Sequence, residues 1–118
     1  MKILLDTNFL VTSIKFRIDF FSEIERICDF RYNLVIIDKT IGELKKINNI
    51  ESKIALKLIK NKKVNIVKTK EGKVDDLILN IADKDYIIAT QDKELRRRLR
   101  DKNIRLLTIR QKKYLSLN

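Results

Sequence analysis

The sequence predicts an α/β protein: three layers, with a central parallel sheet of about five strands between two layers of helices. Three observations predict it. Short, largely apolar runs recur at residues 3–5, 34–37, 64–67, 86–90 and 104–109; such runs suit strands of a buried parallel sheet, with Asn65 marking the third as less buried. Between the runs, apolar residues fall at helical spacing. The first two runs stop abruptly at an aspartate, Asp6 and Asp38. Strands alternating with helices argue for a parallel sheet joined by right-handed crossovers.

Taken in order, Ile3, Leu4 and Leu5 form the first strand and Asp6 ends it. Phe9, Ser13 and Phe16 then place a helix beyond a turn at Thr7-Asn8. A carboxylate at that turn sits at the C-terminal edge of a strand, where open parallel sheets bind their ligands; it can equally serve as a helix cap. Asp19 precedes Phe20, Phe21, Ile24, Ile27 and Cys28, an amphipathic helix with its own N-cap. Asn33 opens the second strand. Ile41, Leu44 and Ile47 mark a helix, and Ile54, Ala55, Leu58 and Ile59 mark another, which ends in the basic turn 60–63. After the third strand, residues 68–73 contain Gly72 and read as a loop. Val74, Leu77, Ile78 and Ile81 form the next helical stripe, and Leu95 and Leu99 belong to a helix between strands four and five. The tail from Arg110 is basic and is assigned no element. With no repeat, low-complexity segment or linker, residues 1–118 read as a single domain.

Charge narrows the function. Lys and Arg number 27 against 16 Asp and Glu, a net +11, which favours a polyanion such as nucleic acid; the alternative is the charged surface of a Lys-rich or thermophilic proteome. The absence of histidine excludes histidine general bases, histidine metal sites and histidine-pair ribonuclease chemistry. A single cysteine, Cys28, excludes an internal disulfide and a structural zinc site and suits the reducing cytoplasm. No apolar run approaches the roughly 18 residues of a membrane span, and the first strand is too short and too soon acidic for a signal peptide. Catalysis must therefore rest on carboxylates, hydroxyls, lysines or arginines.

In such a fold every strand-to-helix turn lies on one edge of the sheet. Asp6 follows strand one, and Glu43 lies in the first turns of the helix after strand two. Asp75 and Asp76 open the helix after strand three, while Asp92 follows strand four with Glu94 beside it. Each acid has an ordinary alternative. Thr40-Ile41-Gly42-Glu43 matches a capping box, Asp75 and Asp76 can complement a helix dipole, and Asp92 is a good N-cap. Jointly, four carboxylates without histidine repel one another unless a hard cation neutralises them. Oxygen-only ligands suit Mg²⁺ or Mn²⁺, and such an ion can activate water and stabilise the leaving oxygen of a phosphodiester. An acidic metal pocket on a basic protein is a nuclease arrangement.

These motifs resemble the PIN domain, a small metal-dependent ribonuclease fold. Leu5-Asp6-Thr7-Asn8 resembles the family's first acid motif, Ile41-Gly42-Glu43-Leu44 the second, Asp75-Asp76-Leu77-Ile78 the third, and Thr90-Gln91-Asp92 with Glu94 the fourth. The order and spacing match over essentially the whole chain. Within the family, Asp6-Thr7-Asn8-Phe9, Ser13-Ile14-Lys15, the doubled Asp75-Asp76 and the run 88–98 look most like the branch that acts in the small-subunit processome on ribosomal RNA precursors; VapC-type toxins are more distantly similar. The resemblance implies Mg²⁺ or Mn²⁺ dependence, endonucleolytic cleavage of single-stranded RNA, and metal-ligand roles for Asp6, Glu43, Asp75 and Asp92. Asn8, Thr90 and Glu94 are implied as supporting groups. Helix phase separates the doubled acids: with Val74, Leu77, Ile78 and Ile81 inward, Asp75 falls on the shoulder of the buried face and Asp76 on the far side. Asp75 is therefore assigned to the metal and Asp76 to a supporting or surface position.

From Arg96 to Lys113 there are nine basic residues against one acid, Asp101. As a group beside Asp92 these nine (Arg96, Arg97, Arg98, Arg100, Lys102, Arg105, Arg110, Lys112 and Lys113) are expected to contact phosphates, with Arg96, Arg97, Arg98 and Arg100 assigned to RNA binding; the alternative is a solvated helix face. The expected function is a cytoplasmic, metal-dependent endoribonuclease in ribosomal RNA processing. Two alternatives are a VapC-type toxin and a catalytically idle RNA-binding assembly module. Expected partners are RNA, including precursor ribosomal RNA, an assembly factor or antitoxin, and a second copy of the chain in a homodimer; no membrane is expected.

Overall fold

A computed structural model describes residues 1–118. The elements run β1 (Lys2–Leu5), α1 (Thr7–Lys15), α2 (Phe20–Ile27), β2 (Asn33–Ile37), α3 (Asp38–Ile47), α4 (Ile50–Asn61), β3 (Asn65–Val67), α5 (Val74–Ile81), β4 (Tyr86–Ala89), α6 (Lys93–Asp101), β5 (Arg105–Arg110) and β6 (Tyr114–Leu117). They build one sheet in the order β3-β2-β1-β4-β5-β6. The five expected strands pair in parallel. A sixth strand, from the tail left without an element, folds back antiparallel on β5 with Leu115 opposite Ile109.

Strand residues alternate between two cores, as a period of two requires. Ile3, Leu5, Ile36, Ile87, Ala89 and Leu107 point to one face, where Phe9 and Leu10 of α1, Phe20 and Ile24 of α2, Leu44 of α3, and Ala55 and Ile59 of α4 cover them. Leu4, Val35, Ile37, Ile88 and Leu106 point to the other, beneath Leu77 and Ile78 of α5 and Leu95 and Leu99 of α6. Each fully buried aliphatic side chain contributes about 1.5–3 kcal/mol of transfer free energy. The helices thus form the two outer layers of a three-layer α/β/α fold.

Strand order reverses beside β1. The chain steps outward from β1 to β2 and β3, then returns to place β4 on the other flank of β1. The carboxyl ends of β1 and β4 flank this switch, where the crossovers diverge and leave a crevice. One local reading is corrected. Helix α3 begins at Asp38, directly after β2, with Ile37 in the cap position and no side-chain cap bond. Thr40 is therefore inside the helix and buried, so Thr40 and Glu43 form no capping box. The helix starts early because Asp38 is held from outside: its Oδ1 accepts from the backbone N–H of Thr69 (3.2 Å) and from Thr69 Oγ1 (2.5 Å). A capping box does occur one helix later, between Asn49 and Ser52 of α4.

Candidate active site

Asp6 is the first residue past β1 and is only 5% exposed. Its Oδ1 accepts from the Thr7 backbone N–H (2.9 Å), so it caps α1 as well. Its Oδ2 accepts from Thr90 Oγ1 (2.8 Å), the first residue past β4. Thr90 Oγ1 in turn accepts from the Asp92 backbone N–H (3.2 Å). Asn8 closes the strap: its Oδ1 accepts from the Gln91 backbone N–H (3.1 Å). Across the crevice, Thr7 Oγ1 donates to Glu43 Oε1 (2.5 Å) and ties α3 to the start of α1. Asp92 caps α6 by accepting from Leu95 N–H (2.9 Å), so its ordinary role and its place in the site coexist.

Asp6, Glu43, Asp75 and Asp92 thereby line one cleft of about 340 Å³, together with Thr7 and Asn8. Burial pushes the Asp6 carboxyl up to about 6, and the charges of Glu43 and Asp75 add to the rise, while the bonds from Thr90 and Thr7 oppose it. The Asp75 carboxyl is raised by desolvation and by the neighbouring Asp92 charge, against the pull of Arg98. The acids feel one another, as a mutually repelling set does. As the side chains stand, no three acids converge tightly enough to hold one ion among them. By chemistry the donor set still fits a hard divalent cation: every donor is oxygen, the like charges are uncompensated inside the cleft, and the cleft opens to water.

Not every expected residue falls in the cleft. Asp76 is exposed and pairs with Arg98 (3.0 Å), away from the acids. Glu94 is exposed and pairs with Arg97 (2.6 Å), which also reaches Asp101 (3.0 Å). Thr90 lies beneath the cleft, fully buried, and acts on it through Asp6. Arg96 is half-buried and Arg100 exposed. Two contributors were missed in the sequence. Thr7 holds Glu43, and Gln91 Oε1 accepts from Ile109 N–H (2.8 Å), which anchors the strap to β5. Both stand inside the motifs quoted above, but only contacts across 36 and 18 residues reveal what they do.

Comparison with known proteins agrees with this architecture. A family model described as PIN like domain matches residues 3–112. Ribonuclease VapC4 of Methanocaldococcus jannaschii is 35% identical over 125 residues, covering 98% of this chain and 95% of that protein. The structure of the PIN domain endonuclease Utp24 superposes with a TM-score of 0.86 at 25% identity, over 99% of this chain and 90% of that one. The structure of VapBC-1 from nontypeable Haemophilus influenzae shares the fold more loosely, with a TM-score of 0.53 at 16% identity over 86% and 94% of the two chains.

Proposed function

The chain belongs to the PIN like domain family, and on that premise we propose that it is a divalent-metal-dependent endoribonuclease cutting single-stranded RNA in ribosomal RNA processing. One observation carries the reading: four different strand ends each deliver a carboxylate, Asp6, Glu43, Asp75 and Asp92, to one cleft in a chain of net charge +11. These four residues would hold Mg²⁺ or Mn²⁺, an ion that supplies water activation and charge stabilisation at a phosphodiester. The remaining work belongs to the chain. Thr90 holds Asp6 ionised and oriented, Thr7 fixes Glu43, and Asn8 with Gln91 keeps the ends of β1, β4 and β5 in register. The likeness to the PIN domain endonuclease Utp24 supports the endonuclease reading, and the motif resemblance to the ribosomal-RNA-processing branch directs it to that substrate. Residues 1–118 are taken as one domain; no helix is long and apolar enough to cross a membrane, and the cytoplasm is the proposed compartment. The test is cleavage of single-stranded RNA by the purified protein in Mn²⁺ and its loss in excess EDTA, followed by in-cell crosslinking to map the RNA.

A second reading, a VapC-type toxin, has its own support in the identity to Ribonuclease VapC4. Ile47, Ile50 and Ile54 are exposed by 45%, 73% and 39%, and Ile47 borders the cleft. An apolar patch at that place suits a protein cover, whether antitoxin, assembly factor or second copy. Toxicity on expression that a co-expressed partner relieves would select this reading.

The acid limb of activity should follow Asp6. Ligands must be deprotonated to bind a cation, so Mn²⁺-supported cleavage should fall as pH drops through about 6, where the Asp6 carboxyl titrates. Thr90→Val removes the hydrogen bond that lowers this carboxyl. Its pH–rate profile should shift upward by about one unit, and an unshifted profile would remove Thr90 from the site.

A further inference from the structure

We propose that the β5–β6 turn and the end of α1 form a phosphate-gripping surface that holds single-stranded RNA beside the acidic cleft. The inference rests on the ribonuclease reading and deepens it. Residues Arg110 to Lys113 make a tight turn closed by the Lys113 N–H donating to the Arg110 carbonyl (3.0 Å). Its two central residues, Gln111 and Lys112, both hold left-handed backbone, with φ of 52° and 56°. Positive φ at both central positions defines the mirror-image hairpin turn that Asn-Gly occupies most readily. Two long side chains sit there instead, against local preference. Arg17, just past α1, adds a further cation; its left-handed backbone (φ 58°) is the usual end of a helix, with the Arg17 and Ile18 N–H groups donating to the Ile14 and Ser13 carbonyls. At the hairpin, by contrast, the two left-handed residues are a cation and a polar side chain in place of Asn-Gly, as at sites where a side chain serves another purpose.

Charge pairing distinguishes this surface from part of α6. The five ion pairs of the structure occupy Arg26, Lys39, Arg97 and Arg98. Lys15, Arg17, Arg110, Lys112 and Lys113 take part in none of them, so the hairpin cations are free for phosphates; on α6, Arg97 and Arg98 already face carboxylates, while Arg96 and Arg100 do not. Two routes place the turn at the rim of the cleft. Lys112 Nζ lies 5.5 Å from the centroid of the Phe16 ring, and the Phe16 N–H donates to the carbonyl of Thr12 (3.0 Å), which lines the cleft. Phe16 is thus one helical turn, about 5 Å, from a cleft residue. From the other side, Ile109 is bonded to Gln91, and Gln91 to Asn8 at the cleft wall. The ring holds the ammonium in place without neutralising it. Tyr114, 40% exposed and paired across the hairpin with Arg110, adds an aromatic face for an unpaired base, so cations and ring together fit single-stranded nucleic acid. Because the acids of the cleft repel a phosphate backbone, the strand needs flanking cations of this kind.

The test is built so that misfolding is not its explanation. Gln111→Asn with Lys112→Gly removes one cation and gives the turn the residues it favours; Arg110→Gln with Lys113→Gln removes two more. Binding of a fluorescein-labelled single-stranded oligoribonucleotide is followed by anisotropy in EDTA across NaCl concentrations, and KM and kcat are read in Mn²⁺. The Asn-Gly variant should melt no lower than the wild type. In both variants the salt slope should fall by about 0.7 for each lost phosphate contact, and KM should rise with kcat unchanged. Unchanged slope and KM in both hairpin variants, with normal binding and cleavage by the wild type, would overturn the hairpin assignment alone. Loss of the slope only in Arg97→Gln/Arg98→Gln/Arg100→Gln would overturn it in favour of α6. A wild type that neither binds nor cuts RNA would instead overturn the ribonuclease reading.

Discussion

Asp6→Asn is expected to lose metal-dependent RNA cleavage by more than about 100-fold while making the fold more stable at neutral pH. The loss follows from removing an anionic oxygen from a set in which even residues behind the ligands are worth about 10–100-fold. The stability gain follows from linkage. The folded Asp6 carboxyl titrates near 6 rather than at its ordinary 3.8, chiefly through burial. A raised carboxyl binds its proton more tightly in the native state than in the unfolded one. The native state is therefore penalised as pH rises through the window between 3.8 and about 6, and the penalty is fully present above it. Two units correspond to about 3 kcal/mol. Asn cannot ionise; its Oδ1 keeps the bond from the Thr7 N–H, while its Nδ2 can meet Thr90 only after the Thr90 hydroxyl turns from donor to acceptor, so a net gain of about 1–2 kcal/mol is expected. Melting temperatures of the two proteins should cross: the variant lower near pH 4, where the penalty is small and the weakened bond remains, and higher by pH 7.5. Added Mn²⁺ should raise the wild type alone. Cleavage by the wild type that persists in excess EDTA would sink the metal mechanism, and a variant that melts lower at pH 7.5 would make Asp6 chiefly a helix cap.

The sheet and its acid rim were legible in the sequence because both follow from patterns local to each segment. Apolar runs such as Leu34 to Ile37 identify buried strands, and the βα alternation then fixes which edge carries the turns. Strand β6 was not legible. Its turn lacks the Gly or Asn that marks a hairpin, and the alternation Tyr114-Leu115-Ser116-Leu117 is only four residues long. The early start of α3 was hidden for a different reason: Thr69, 31 residues away, holds Asp38, while the local sequence matches a capping box at Thr40. The same limit applies to α6. Its arginines read as a binding face by composition, but Arg98 meets Asp76 across 22 residues. Long-range pairing decides which charges are free, and a single sequence does not carry that information.

Asp75 and Asp76 are expected to part company sharply: Asp75→Asn should lower RNA cleavage by more than about 100-fold, and Asp76→Asn by no more than about 3-fold. Helix α5 opens at Val74, with Leu77 and Ile78 buried against the sheet. At about 100° per residue, Asp75 lies on the shoulder of that face and Asp76 about 200° from Val74. The structure has the same phase. Asp75 is half-buried and lines the cleft with Asp6, Glu43 and Asp92, whereas Asp76 is exposed and faces Arg98. Their surroundings differ accordingly, since Asp92 and Glu43 both raise the Asp75 carboxyl. Asp76 therefore acts on the site from outside the cleft, by its own charge, which raises the Asp75 carboxyl, and through Arg98, which pulls it down. Freeing Arg98 by Asp76→Asn should bring its charge closer to Asp75 and weaken Mn²⁺ binding slightly, an effect that Arg98→Gln in the same background should reverse. The measurement is cleavage rate against Mn²⁺ concentration for the two single variants and for Asp76→Asn/Arg98→Gln. A dead Asp76→Asn beside a normal Asp75→Asn would place the metal on the other carboxylate and shift the start of α5 by one residue.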